Sequence, residues 1–348
     1  MSKFKKPALI SLMILILAAA AFYFGYWIRT PQYALQTVAS SIQNHDTAKF
    51  SRYVDLDNLY DKLFDDCLAA EVKPNKERTN AALLTHLAAI KRLVVPVFKA
   101  ATVNYVKTGN AELTAGQADD PTGRGAQLAM GMAWKLGLAN IEFKRLEGIT
   151  RSGQEAVANL TVYDRQLDKD FPVHLRMRPN QDHYWQIVAV DDIPDYLKQR
   201  QEVLDVKLKE LNGPKAAKIA SIVRLLEDRD APQMQLLVVR QPTLSYALKM
   251  VFTLVNTSPK DIASVSGIMR IYDKENTVRF VTSFEAGKIA AGKQLRTSNT
   301  WELNPYLADQ QMLSRAKVSG LKASFEITSV IFADKSSISL QDRLPELH

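Results

Sequence analysis

Residues 7–28, PALISLMILILAAAAFYFGYWI, are 22 consecutive positions without a charge. A helix rising about 1.5 Å per residue over that length crosses a hydrocarbon layer of about 30 Å, so this run confines the rest of the chain to the two sides of a membrane. Lys3, Lys5 and Lys6 precede it, and Tyr23, Tyr26 and Trp27 form an aromatic belt at its far end. Basic residues stay on the cytoplasmic side. The expectation is a cytoplasmic tail over 1–6, a transmembrane anchor over 7–28, and everything after Arg29 outside the cytoplasm. The alternative is a signal peptide cut near Ala18–Ala21, which would leave a secreted, soluble binding protein. Against it, the apolar run continues through Phe22, Phe24 and Ile28 and exceeds the ~7 to 15 residues of an ordinary signal core. No cysteine lies near that site to carry a lipid, which excludes a lipoprotein.

A length of 348 residues suggests about two domains, and 47% apolar with 24% charged residues excludes a disordered or collagen-like chain. Cys67 stands alone, so neither an internal disulfide nor a C-x-x-C zinc site is open to this protein. Half of the +8 net charge falls in the first 30 residues, and the rest forms no block of Lys and Arg interleaved with aromatics. Nucleic-acid binding is not expected.

Beyond the anchor, Leu35, Val38, Ala39 and Ile42 recur at helical spacing after Pro31. Asp46 and Asp55 are placed to cap two further helices, the second burying Leu56, Leu59, Leu63 and Phe64. A helix is predicted over 79–95, where Pro96 interrupts or kinks it. Residues 108–125 read as a loop, and 130–138 as a short helix. Alternation then takes over, with strands near 140–150 and 154–165. The clearest strand is 170–178, with Phe171, Val173, Leu175 and Met177 on one face and His174, Arg176 and Arg178 on the other. A turn at 179–182 leads to a returning strand carrying Trp185, Ile187 and Ala189. These elements form an expected domain over 31–200. A helical connector over 201–232 follows, its first helix from Pro194 stopped at Asn212-Gly213-Pro214 and its second using Ile219, Ile222, Val223 and Leu226. Short strands at 246–254, 265–272, 278–284 and 321–327 predict a β-sandwich over 233–343.

Helices followed by a four-strand antiparallel meander resemble the cone-shaped α+β fold of the nuclear transport factor two-like superfamily. Pro31-Gln32-Tyr33-Ala34-Leu35 and Tyr53-Val54-Asp55 resemble an uncharacterised family of bacterial membrane-anchored proteins, over about residues 1–70. That resemblance implies a bacterial cytoplasmic membrane and carries no activity. Val255-Asn256-Thr257-Ser258 and Ala291-Gly292-Lys293 are similar to bacterial extracytoplasmic immunoglobulin-like modules, which implies fold alone.

Asp191-Asp192-Ile193-Pro194-Asp195 spells the D-D-x-x-D by which prenyl-diphosphate synthases hold magnesium. Here it occurs once, leaves a strand and contains a proline, so carboxylates serving the free N–H groups of a helix start are the expectation. The five histidines include no i, i+3 or i+4 pair, and no metal or other cofactor is expected. Asp65 and Asp66 beside Cys67 disfavour a thiolate. No G-x-S-x-G, S-x-x-K or P-loop is present. If the cone is hollow, Trp185, Phe171, Val173 and Leu175 would line it, with His86 reaching in from a helix. Solid packing is the plainer expectation for them. The sequence therefore points to a non-catalytic, membrane-anchored extracytoplasmic protein binding an envelope partner or an apolar small molecule. The alternative is an enzyme with its active site in the cone, which would be marked by a buried Asp or His pair beside a cavity.

Overall fold

The computed structural model describes residues 23, 25–71, 81–110, 123–226, 232–241, 243–303, 308–315 and 318–345. The chain forms two compact units, Met1–Leu204 and Asp205–Pro345, of α+β composition with antiparallel sheets. Lys3, Lys5, Lys6 and most of the expected anchor lie outside the described residues. Among the described residues no helix is long and apolar enough to cross a membrane. Trp27–Arg29 is a 3-10 turn, so the apolar run is not α-helical to its last residue. Tyr26 is 61% exposed there.

In the first unit, helix α1 (Pro31–Gln43) begins with proline at its first position, and Thr30 accepts a hydrogen bond from the Tyr33 amide. Asp46 caps α2 (Thr47–Tyr53) through the Lys49 amide at 2.9 Å, and Asp55 opens α3 (Leu56–Glu71) through the Asn58 amide at 3.1 Å. Helix α4 (Ala81–Thr108) runs through Pro96 without ending. Pro96 and Arg92 are both exposed, so water can take the carbonyl that the proline leaves without a donor. Helix α5 (Arg124–Leu136) starts before the expected 130, because Gly123 takes the left-handed conformation at its N-cap and Gly125, Ala126 and Ala129 pack closely.

Strands β1 (Ile141–Ser152), β2 (Glu155–Asp164), β3 (Lys169–Pro179) and β4 (Trp185–Asp191) form an antiparallel meander in sequence order. Asn180 Oδ1 closes the β3–β4 turn by accepting from the amides of Asp182 and Tyr184. Ala34, Phe50, Tyr53 and Val54 pack onto Ala156, Ala158, Met177, Trp185 and Ile187 of the sheet. A second cluster joins Phe64, Val94, Phe98 and Ala129 of α3, α4 and α5.

Helix α6 (Ile193–Ile222) does not stop at Asn212-Gly213-Pro214. Gly213 and Pro214 are exposed, which leaves the Glu210 carbonyl accessible to water, and the Asn212 amide exchanges two 2.8 Å bonds with the Gln341 backbone. The helical expectation for Val223 is overturned too: Val223–Leu225 is strand β5, paired with 254–256.

The second unit contains β6 (Gln233–Gln241), β7 (Thr243–Asn256), β8 (Ile262–Tyr272), β9 (Val278–Ala286), β10 (Gln294–Leu303), helix α7 (Ala308–Arg315), β11 (Lys322–Phe332) and β12 (Ser337–Ser339). One sheet has the order β10-β7-β5 with β6 also on β7, the other β12-β11-β8-β9. They share one core in which the rings of Phe252, Phe284 and Phe325 meet at 5.1 to 5.5 Å. Gly267 is required beneath them, since a Cβ would fall 2.3 Å from the Glu326 carbonyl oxygen and 2.6 Å from the Phe284 ring. Asn256 is fully buried: its amide donates to the Lys260 and Ile289 carbonyls and accepts from Ser258. It therefore builds a turn.

Candidate polar groove

The Val54 bridge to Ile187 and the Asp55 amide bond to the Ile187 carbonyl (2.9 Å) pin the start of α3 to β4. Asp55, Asn58, Lys62 and Asp66 follow at spacings of three, four and four, one helix face. That face meets the polar side of β3, where His174, Arg176 and Arg178 alternate. A register shift sets Arg176 against Ala189 and Met177 against Ile187, leaving Val188 as the extra residue. The result is a recess of about 720 Å³ lined by Asn58, Lys62, Arg176, Arg178, Gln186 and the 179–182 turn. A second of about 560 Å³ takes in Asp66, His174, Asp191 and Asp192. Lys62 and Arg176 border both, so the two recesses adjoin as one polar groove region.

Its three cations are paired within the unit. Lys62 Nζ lies 2.6 Å from Asp66, Arg176 Nε donates to Asp191 at 3.0 Å, and Arg178 Nε to Glu155 at 2.9 Å. His174 Nδ1 and Asp192 Oδ2 are 2.8 Å apart, with the side chains 33% and 61% exposed. Asp192 adopts φ 58°, a left-handed backbone uncommon outside glycine. The D-D-x-x-D segment does open a helix, since the Asp192 carbonyl accepts from the Tyr196 amide. Its first two carboxylates, however, serve β3 side chains, Asp191 the Arg176 guanidinium and Asp192 the His174 ring. Among the described residues no cluster of three or more His, Cys, Asp or Glu could hold a metal ion.

The residues singled out in the sequence lie elsewhere. Trp185 is 3% exposed in the first core cluster, under the Arg151 guanidinium at 5.0 Å. Leu175 packs partly against that cluster. Phe171, 1% exposed, meets the Tyr196 ring at 5.5 Å, and Val173 is half-buried. None of the four lines the polar groove. His86 falls on α4, and its side chain lies outside the described residues. A smaller recess of about 160 Å³, lined by Phe64, Cys67, Ile90, Val94 and Met132, opens among the helices.

A buried carboxylate does exist, but it is structural. Asp164 and Arg200, with 0% and 4% side-chain exposure, pair at 3.0 Å. Asp164 also accepts from the amides of Gln166 and Leu167, and Arg200 donates to the Lys135 carbonyl. Gly137 makes room, since a Cβ there would sit 2.5 Å from the guanidinium. Beside this pair the Tyr196 hydroxyl donates to the Leu136 carbonyl, and burial pushes its pKa up to about 12. Burial likewise raises Tyr53 to about 12, helped by the neighbouring Tyr33 and Tyr184.

The groove residues Asn58, Lys62, Arg176 and Gln186 escape a reading by motif, because their signal is two polar faces on elements far apart in sequence. A family model described as "Protein of unknown function (DUF2939)" matches residues 17–107, from the apolar run through nearly all of α4. That match supports an uncharacterised family for this part of the chain. No curated protein matches it.

Proposed function

We propose that this protein is a non-catalytic binding module, held in the cytoplasmic membrane by residues 7–28 with the bulk of the chain outside the cytoplasm, and that the α3/β3/β4 groove is its recognition surface. The first unit is read as a filled member of the nuclear transport factor two-like cone, and the second as an immunoglobulin-like sandwich. The observation that carries the reading is the groove itself: a polar recess in which Lys62, Arg176 and Arg178 are each held by a carboxylate, while Asp55, Asp182 and Asp195 add further acid to the lining. Six carboxylates against three cations suit a polar ligand bearing amino groups, such as a short basic peptide or an amino-sugar fragment of the envelope. Among the described residues the one histidine–carboxylate ion pair, His174–Asp192, is largely solvated, which argues against an enzyme site dependent on a dry cavity.

The test is calorimetric titration of the detergent-solubilised chain with basic peptides and amino-sugar oligosaccharides, alongside Asp55→Asn, which keeps the helix cap and removes the charge. Removing a charged acceptor is expected to weaken binding about 10-fold or more. Binding unchanged in Asp55→Asn would displace the groove as the site. Turnover of any of these compounds, abolished in His174→Ala, would replace the binding reading with the enzymatic one.

A further inference from the structure

We infer that the end of the first unit carrying the β1–β2 and β3–β4 turns is a lipid-contacting surface, where Arg52 and Arg151 bind phosphate oxygens of anionic phospholipid headgroups. The inference rests on the anchor proposed above. Tyr23 belongs to the apolar run, and its ring meets Tyr33 edge-on at 6.2 Å with the hydroxyls 3.5 Å apart. Tyr33 meets Tyr53 at 6.1 Å, and Tyr53 meets Tyr184 at 5.9 Å. These three steps place the β3–β4 turn no more than about 18 Å from the apolar run. The opposite end of β3 is a full strand away, 11 residues at roughly 3.3 Å each.

Two exposed cations crown the near end. The Arg52 guanidinium stands 5.5 Å from the Tyr184 ring centroid, and that of Arg151 stands 5.0 Å from Trp185. A guanidinium on an aromatic face keeps its fork outward for a phosphate while the ring restricts its motion. Arg151 Nε also lies 3.5 Å from the Gly153 carbonyl, which ties it to the β1–β2 turn. Arg178 is engaged by Glu155, so Arg52 and Arg151 are the pair available to the membrane surface, opposed locally by Asp182. Basic residues held beside an anionic surface contribute favourably and in a salt-dependent way.

The experiment uses the full chain in nanodiscs carrying headgroup-nitroxide lipid, with Cys67→Ala and a fluorophore on Gln154→Cys or, at the far end of the sheet, on Lys169→Cys. In anionic discs the label at 154 should be quenched several-fold more than that at 169. Arg52→Gln with Arg151→Gln should weaken the contact by roughly five-fold per arginine, whereas the two lysine variants should retain most of it. Equal quenching at both positions, or quenching at 154 indifferent to loss of the arginines, would overturn the inference. Thermal melting matched between variants guards against misfolding as the cause. Release of the chain by carbonate would defeat the anchor reading itself. A carbonate-resistant chain with an unquenched label at 154 would defeat only the lipid contact.

Discussion

Asp164→Ala is expected to destabilise the first unit by about 3 to 5 kcal/mol. The substitution leaves the Arg200 guanidinium 4% exposed without its counter-ion, and an uncompensated buried charge is among the most destabilising changes a fold can suffer. It also removes the acceptor for the Gln166 and Leu167 amides that close the β2–β3 turn. Arg200→Met alone should be similarly severe, because the buried Asp164 carboxyl then loses its counter-ion. The double variant Asp164→Leu with Arg200→Met should recover much of the loss, since well-packed apolar groups often replace a buried pair at little cost. Urea unfolding of all three, followed by tryptophan fluorescence, checks this. A single-variant loss below about 1 kcal/mol would mean that the pair is solvated and that α6 is held by something else.

Trp185→Ala should remove about 3 to 5 kcal/mol. The indole is 3% exposed and touches helices and sheet alike, so truncation leaves a cavity that the backbone cannot close. With Trp27, Trp134 and Trp301 changed to Phe, the remaining indole reports its own surroundings. A small loss, joined to a fluorescence shift on adding an apolar ligand, would point to a hollow under the sheet. A large loss with no such response fits the packed core.

Periodicity made the meander legible, because Phe171, Val173, Leu175 and Met177 must share one face of any strand. The caps at Asp46 and Asp55 were legible for a similar reason, being local chemistry within three residues. Pro96 and Asn212-Gly213-Pro214 misled: a breaker acts through a lost backbone donor, and on an exposed helix face water supplies a replacement. β10 left little trace, since a strand reading Gln-Leu-Arg-Thr-Ser-Asn-Thr-Trp-Glu-Leu has few apolar residues. It forms through pairing with β7 along 246–255. The groove lay beyond a linear reading because it requires α3 to dock on β4, a contact fixed by Val54 and Asp55 some 130 residues before the strand.

The central claim, a chain held by residues 7–28 with its two units outside the cytoplasm, is tested most directly by a topology reporter fused after His348. The account predicts that a reporter active only when exported is active, and that the fusion sediments with membranes at full length after a carbonate wash. An inactive reporter, or release of a chain shortened near Ala18–Ala21, would contradict it.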